Sequence, residues 1–239
     1  VRALYWAGCT FRLRLPEVVE DHLGLLSELG VDVVELSEEG CCGDPLRLSG
    51  LAEGFRLNAV KVAERIEALD VDALITGCAG CYRSFKDYYA ELKLSIPRVL
   101  HLAHVAADLM PKLSGESAER VAYHDPCELG RLGGVYEEPR RALAKVAEVV
   151  EPLTSRGEAM CCGGGGGLWS TAPELSLAVA EARLARDVEP LGVSKLATAC
   201  PACLLNLRIA AARREASTGR RLEVVDLGSY LLHKLRVGR

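Results

Sequence analysis

No stretch of this 239-residue sequence approaches the ~18 consecutive apolar residues that a membrane span requires, so no span is expected. A basic excess is also missing: 29 Lys and Arg stand against 33 Asp and Glu, a formal net charge of −4. Nucleic-acid-binding proteins normally carry the opposite balance, so nucleic acid is not an expected partner. No basic segment followed by an apolar one opens the chain. A secretory leader is therefore not visible, and a cytoplasmic location is expected, with any approach to a membrane made through partners. The first residue is Val1, and a further module upstream of it stays open. Cysteine is too sparse for a disulfide scaffold, because ten in a chain this long falls below the density of small secreted domains. In a reducing compartment, clustered thiols point instead to metal or redox chemistry.

The spacing of those ten says more than their number. Cys9, Cys41, Cys42, Cys78 and Cys81 read C-x31-CC-x35-CxxC; Cys127, Cys161, Cys162, Cys200 and Cys203 read C-x33-CC-x37-CxxC, and none is left over. Other residues repeat with them. Ala3-Leu4-Tyr5 before Cys9 matches Val121-Ala122-Tyr123 before Cys127, and Arg98-Val99-Leu100 matches Glu223-Val224-Val225. A period of roughly 120 residues is too long for a solenoid and suits a duplicated domain. The sequence divides into residues 1–114 and 118–239, joined at the polar Ser114-Gly115-Glu116-Ser117.

Each half alternates short apolar runs with longer amphipathic ones. Strands are expected at 3–7, 32–36, 72–76 and 97–100, then at 120–124, 148–152, 195–199 and 222–225. Segments 17–29, 55–69 and 173–188 place apolar residues at helical spacing, with Leu175, Val179, Ala182 and Val188 near one face of the last. Such alternation predicts an α/β fold: two homologous Rossmann-like repeats with parallel sheets, related by a pseudo-two-fold axis. Ligands then sit at the carboxyl ends of the strands. Cys9, Cys78, Cys127 and Cys200 each follow a candidate strand directly. Each half should therefore gather its five thiols along one rim, with the two rims near the shared interface.

Thiolates are soft ligands, and sets of four or five select zinc or iron–sulfur clusters. CxxC offers two ligands from one turn and occurs at both kinds of site. The side chains of a Cys-Cys pair diverge; they serve one tetrahedral ion poorly but can reach different irons of an extended cluster. The doubled pattern favours clusters, with zinc in one half, or a zinc-binding structural protein without redox activity, as alternatives. The run Gly163 to Gly167 has no Gly-Lys-Ser/Thr after it and is no P-loop. It reads either as a plain flexible loop or as a cofactor-binding device, Gly163 and Gly164 bringing main-chain amides near sulfur or substrate. Gly43 follows the first Cys-Cys in the same way. His124 reads as a loop cap ahead of a donor to a cluster or substrate. Arg12, Arg14, Arg47 and Arg131 lie near the cysteines in sequence and could draw in an anionic substrate, but each taken singly reads as solvated surface. The face with Arg208, Arg213 and Arg214 reads as solvent-exposed.

The doubled pattern, with Cys42-Gly43 and Cys162-Gly163, resembles the cysteine-rich "CCG" domain family. That family includes catalytic iron–sulfur subunits of heterodisulfide reductases, of the B and D types, and iron–sulfur subunits of glycolate and lactate oxidation complexes. The resemblance runs from Tyr5-Trp6-Ala7-Gly8-Cys9 to the end of the second repeat, and takes in Cys41-Cys42-Gly43-Asp44-Pro45 and His124-Asp125-Pro126-Cys127. Many relatives have His after that last cysteine; this chain has Glu128, so no role is carried over there. The resemblance implies two non-cubane [4Fe-4S] clusters, one on Cys9, Cys41, Cys42, Cys78 and Cys81, the other on Cys127, Cys161, Cys162, Cys200 and Cys203. It also implies a small thiol or disulfide substrate, split between the clusters. No C-x2-C-x2-C-x3-C-P ferredoxin run is present. Electrons are thus expected from a ferredoxin-like iron–sulfur subunit, a flavoprotein subunit, or a module ahead of Val1. The second reading within the family is the electron-transfer subunit of a 2-hydroxyacid oxidation complex.

Overall fold

Eight short strands build two sheets of one topology. A computed structural model describes residues 2–36, 38–113 and 119–238. In the first sheet, β1 (Arg2–Trp6), β2 (Asp32–Val34), β3 (Ala73–Thr76) and β4 (Arg98–His101) lie in the order β2-β1-β3-β4. In the second, β5 (Arg120–His124), β6 (Glu148–Val150), β7 (Lys195–Thr198) and β8 (Glu223–Asp226) lie in the order β6-β5-β7-β8. Every pairing is parallel, and the registers correspond: Leu4 faces Leu74 as Ala122 faces Leu196. The fold is α/β with two similar halves, as the alternation predicts. The inner strands β1 and β3 are covered on both faces, which is why they read as continuous apolar runs. The edge strands β2 and β6 stop at Val34 and Val150, two residues short of expectation, where their pairing to β1 and β5 ends. The expected join at Ser114 to Ser117 lies outside the described residues.

Helices Pro16–Glu28, Pro173–Arg183 and Pro201–Thr218 all open on proline, whose fixed φ suits a first helical turn that needs no N–H. Helix Pro16–Glu28 packs on Leu227–Val237, and Leu102–Leu109 packs on Glu137–Leu143. These two pairs exchange under the pseudo-two-fold axis. One apolar core runs through both halves, joining Leu25, Leu26 and Ala106 to Tyr123, Leu231 and Leu235, and a second gathers Leu4, Trp6, Phe55 and Phe85 in the first half. Each leucine so buried contributes roughly 1.5–3 kcal/mol. A buried polar chain ties the halves as well. Tyr5 OH donates to His22 Nδ1 (2.6 Å), and His22 Nε2 donates to Asp226 Oδ1 (2.6 Å), which also caps Leu227–Val237 by accepting from Gly228 and Ser229 N–H. Gly77 and Gly228 flank the imidazole; a Cβ on them would lie 2.4 and 2.5 Å from its ring.

The segment 173–188 is helical throughout, with a π-helical turn over Leu184–Val188, but its inward face is not the expected one. Of the expected face Val188 is buried, but with Ser176, Leu177, Ala180, Arg183 and Leu184, while Leu175 is 56% exposed. The apolar stripe misleads because two polar side chains are satisfied inside. Ser176 Oγ donates to Gly163 O (2.7 Å), and Arg183 Nη1 donates to Thr154 and pairs with Asp187.

Candidate metal centre

Sheet topology places the cysteines. Strand order reverses between β1 and β3, and between β5 and β7, and α/β folds open a crevice at the carboxyl ends of such a pair. Cys9 and Cys78 follow β1 and β3; Cys127 and Cys200 follow β5 and β7. Cys78 caps helix Ala79–Arg83 and Cys200 caps Pro201–Thr218, which puts Cys81 and Cys203 one turn on, facing the same way. The Cys-Cys pairs come in from the loops after β2 and β6. Each half gathers its thiols along one rim, as their spacing predicts.

The contacts repeat between halves. Cys42 and Cys81 Sγ are 3.4 Å apart and Cys162 and Cys203 Sγ 3.0 Å; Cys9 and Cys41 Sγ are 3.8 Å apart. All ten thiols are free. Nine of them, all but Cys41, line one cavity of about 280 Å³ between the halves, with Asp44, Pro45, Leu48, Glu128, Gly165 and Gly166. Beside it, a wider mouth carries Leu13, Arg14, Trp169 and Gly164 to Gly167.

Thiols this close titrate together. Cys9, Cys41, Cys42 and Cys81 are each shifted chiefly by a neighbouring thiol of their own set, and so are Cys127, Cys161, Cys162, Cys203 and Cys200 in the second half. Cys42 is pulled down to about 6 by hydrogen bonds from Cys41 and then Cys81; Cys161 is pulled down to about 2 by Cys127 and then Cys162. Cys9 and Cys127 are pushed far up, by Cys41 and Cys161 respectively and then by burial. Five sulfurs in a mostly dry pocket cannot all ionise against one another. A soft cation that neutralises them resolves the conflict, and an all-sulfur donor set fits iron–sulfur or zinc chemistry. The backbone adds fitting donors: Gly43 N–H reaches Cys41 Sγ (3.4 Å), Gly163 N–H reaches Cys161 Sγ (3.3 Å) and Gly164 N–H reaches Cys162 Sγ (3.4 Å). Gly43 and Gly163 sit at φ 89° and 73°, and a Cβ on Gly164 would lie 2.4 Å from Ala202 O. The first part of the glycine run is clamped, therefore, and only Gly165 to Gly167 has open space around it.

Several residues around the cysteines carry no local sequence signal. Glu39, 8% exposed, accepts from Ala7 N–H (2.8 Å) and Gly8 N–H (2.7 Å) and so fixes the turn that presents Cys9. Asn58 and Asn206 Nδ2 donate to Cys41 O and Cys162 O, one for each Cys-Cys pair. Tyr89 OH donates to Cys42 O (3.0 Å).

His124 is not a loop cap. It is buried at the end of β5 with neither ring nitrogen hydrogen-bonded among the described residues, and its ligand atom lies within 4.8 Å of Cys162 and Cys203 Sγ. Burial first, and the Arg183 guanidinium next, pull it down to about 3, so the ring is neutral. Of the arginines, Arg12 pairs with Glu39, Arg47 pairs with Asp44 and stacks on Tyr88, and Arg131 donates to Gly157 O and Ala159 O. Arg14 lies over the Trp169 ring. The charged groups on the inner cavity wall are Asp44 and Glu128, one from each half. Burial and then Glu128 hold Asp44 above the usual carboxylate range. Arg213 is half-exposed, in line with a solvated face, and pairs with Glu174 and Glu181; Arg214 pairs with Glu189, and Arg208 is not solvent-exposed but part-buried, its Nε donating to Val224 O.

No helix among the described residues is long and apolar enough to cross a membrane. An uncharacterised iron–sulfur protein of Methanocaldococcus jannaschii is 31% identical over 233 residues, which is 97% of this chain and 46% of that protein. A dihydromethanophenazine:CoB–CoM heterodisulfide reductase subunit of Methanosarcina acetivorans is 34% identical over 216 residues, 85% of this chain and 53% of that polypeptide. The chain thus spans about half the length of these curated relatives. Among solved structures, glutamate racemase from Aquifex pyrophilus superposes with a TM-score of 0.41 at 12% identity, covering 99% of this chain and 82% of that one. The Cysteine-rich domain (CCG) matches twice, over residues 3–86 and 121–208, each match spanning one cysteine rim, and the chain belongs to that family.

Proposed function

We propose that this chain is the cluster-bearing part of an iron–sulfur oxidoreductase that reduces a small disulfide to two thiols. Cys9, Cys41, Cys42, Cys78 and Cys81 would hold one [4Fe-4S] cluster of the non-cubane type. Cys127, Cys161, Cys162, Cys200 and Cys203 would hold the other. When bound, such clusters supply one-electron redox chemistry at potentials set by burial, charge and hydrogen bonds to sulfur. Reduction of RSSR′ consumes two electrons and two protons, and two facing centres match the electron count. The observation that carries the reading is the shared cavity: both cysteine sets open into one space. A pure electron relay needs no room between its centres, which favours disulfide reduction over the 2-hydroxyacid oxidation role. The heterodisulfide reductase relative supports the same choice.

The chain's own residues would do the holding and shaping. Gly43, Gly163 and Gly164 turn N–H groups onto three of the sulfurs. Pro45, Leu48, Pro126 and Pro201 close the apolar part of the wall around the substrate. Electrons would enter from a ferredoxin-like iron–sulfur subunit or a flavoprotein subunit, and the protein would be cytoplasmic, approaching a membrane only through those partners. Anaerobic purification followed by iron, sulfide and zinc analysis tests the proposal. About eight irons per chain, brown colour and disulfide turnover with a reduced viologen are expected. Colourless protein with stoichiometric zinc overturns it in favour of a structural role. Full iron loading without any disulfide turnover favours the relay of a 2-hydroxyacid oxidation complex.

A further inference from the structure

The duplication exposes one pair of residues with an unfilled function. Trp6 closes β1 and His124 closes β5, each three residues before the first cysteine of its set. Each is 1% exposed. Trp6 Nε1 and both ring nitrogens of His124 are buried with no hydrogen-bond partner among the described residues. Their surroundings correspond too. Trp6 packs in one cluster with Cys42 and Cys81, and His124 stands beside the equivalent Cys162 and Cys203. A buried N–H without an acceptor is costly, and native folds seldom keep one. Two at the same station of two repeats imply acceptors that the polypeptide itself does not supply.

We infer that Trp6 and His124 are paired positioning residues, whose N–H groups each donate a hydrogen bond to sulfur of the adjacent proposed cluster; the inference rests on the iron–sulfur reading above. The pairing decides between two roles for His124. A histidine can ligate a metal or donate, but an indole can only donate. The role that both residues can share is donation. Donors to cluster sulfur stabilise the more negative, reduced state and so raise the potential.

Redox titration of the anaerobic, iron-loaded chain, monitored by visible absorbance and EPR, tests this with Trp6→Phe, His124→Leu and His124→Gln. Iron and sulfide analysis of each variant serves as the loading check. Trp6→Phe should shift the reduced-to-oxidised ratio of one centre about tenfold toward oxidised at fixed potential, about 59 mV for one electron, and leave the other centre unmoved. His124→Leu should do the same at the other centre, and His124→Gln, which keeps an N–H, should recover most of the shift. Heavy-nitrogen labelling of Trp or His in the unmutated chain should give a weak hyperfine coupling from each residue, and this reading survives even if a variant fails to load. Unmoved potentials in iron-replete variants, no coupling in the labelled protein, or the strong coupling of a directly bound His124 nitrogen would each overturn the inference. Iron-free protein at the loading check overturns the proposed function as well, which separates the two failures.

Discussion

Gly8 adopts φ 86° and ψ 149°, a conformation that side-chain-bearing residues essentially do not visit. Its missing side chain matters twice over, since a Cβ there would lie 3.0 Å from Cys81 Sγ. The chain must pass this point to deliver Cys9 beside Cys41, and Glu39 holds it there through the N–H groups of Ala7 and Gly8. Gly8→Ala is expected to cost about 1–3 kcal/mol in backbone strain and to push Cys81 out of line with Cys42. Because the second half uses Pro126 at the matching position, the damage should stay in the first set. Anaerobically purified Gly8→Ala should therefore hold close to half of the iron of the unmutated chain; undiminished iron would show that the first set does not depend on this turn. Proximity of this kind was only partly legible in the sequence. The ten cysteines declare themselves by spacing, and Gly43, Gly163 and Gly164 by adjacency. Glu39 and Arg183 do not, since what makes a buried charge tolerable is a partner that the linear chain does not reveal.

Elements were read more reliably than their faces. All eight strands lie where short apolar runs precede a cysteine or a helix; β2 and β6 come out two residues shorter than expected, β3 and β7 one. Helix 173–188 shows the limit, because hydrophobic periodicity cannot register a buried serine bonded to a glycine carbonyl or a buried arginine paired four residues on. A pH test belongs to helix Leu102–Leu109. His101 caps it by accepting from Ala103 N–H at Nδ1 (3.1 Å) while Nε2 donates to Gly77 O (3.0 Å), an arrangement that requires the neutral ring. Burial first, then His104, pull His101 down to about 3; His22 pushes the same way, while the Gly77 carbonyl and Asp226 oppose it. The unfolded chain takes up this proton below about 6.5 and the folded chain does not. Stability should therefore be fully present above pH 6.5 and fall as the pH drops toward 3, by about 2 kcal/mol from this residue at pH 5. His101→Asn keeps a capping oxygen, as Asp226 does at the matching position of the second half, but has no proton to gain. Urea midpoints by circular dichroism at pH 7 and pH 5 should draw closer together by about that amount in the variant. An unchanged gap would mean that the cap does not select the neutral ring.

The repeats at 1–114 and 118–239 remain proposed units, with the join itself outside the described residues. How far they act as separate bodies turns on where apolar surface is buried. Helix Leu227–Val237 puts Leu231, Leu232 and Leu235 into the same core as Leu25 and Leu26 of the first half, and His22 is held between Tyr5 of its own half and Asp226 of the other. At roughly 1.5–3 kcal/mol for each large side chain, three leucines alone contribute an amount comparable to the net stability of a domain. Neither half can keep that contribution after separation. A fragment ending at residue 113 would expose Leu25 and Leu26 and leave His22 Nε2 with no acceptor in a site made for one. Unfolding of the intact chain should accordingly be one transition, with far-UV circular dichroism and tyrosine absorbance giving the same midpoint. His22→Leu should lower that single midpoint by about 2–4 kcal/mol without splitting it, since it strands Tyr5 OH and takes from the buried Asp226 Oδ1 one of its three donors while the apolar contacts persist. Two resolved transitions in the unmutated chain, or soluble folded halves, would show that the shared core is a docking surface between independent domains. One transition would place the cavity between the cysteine rims on a single rigid frame, as a site whose two walls must keep their spacing demands.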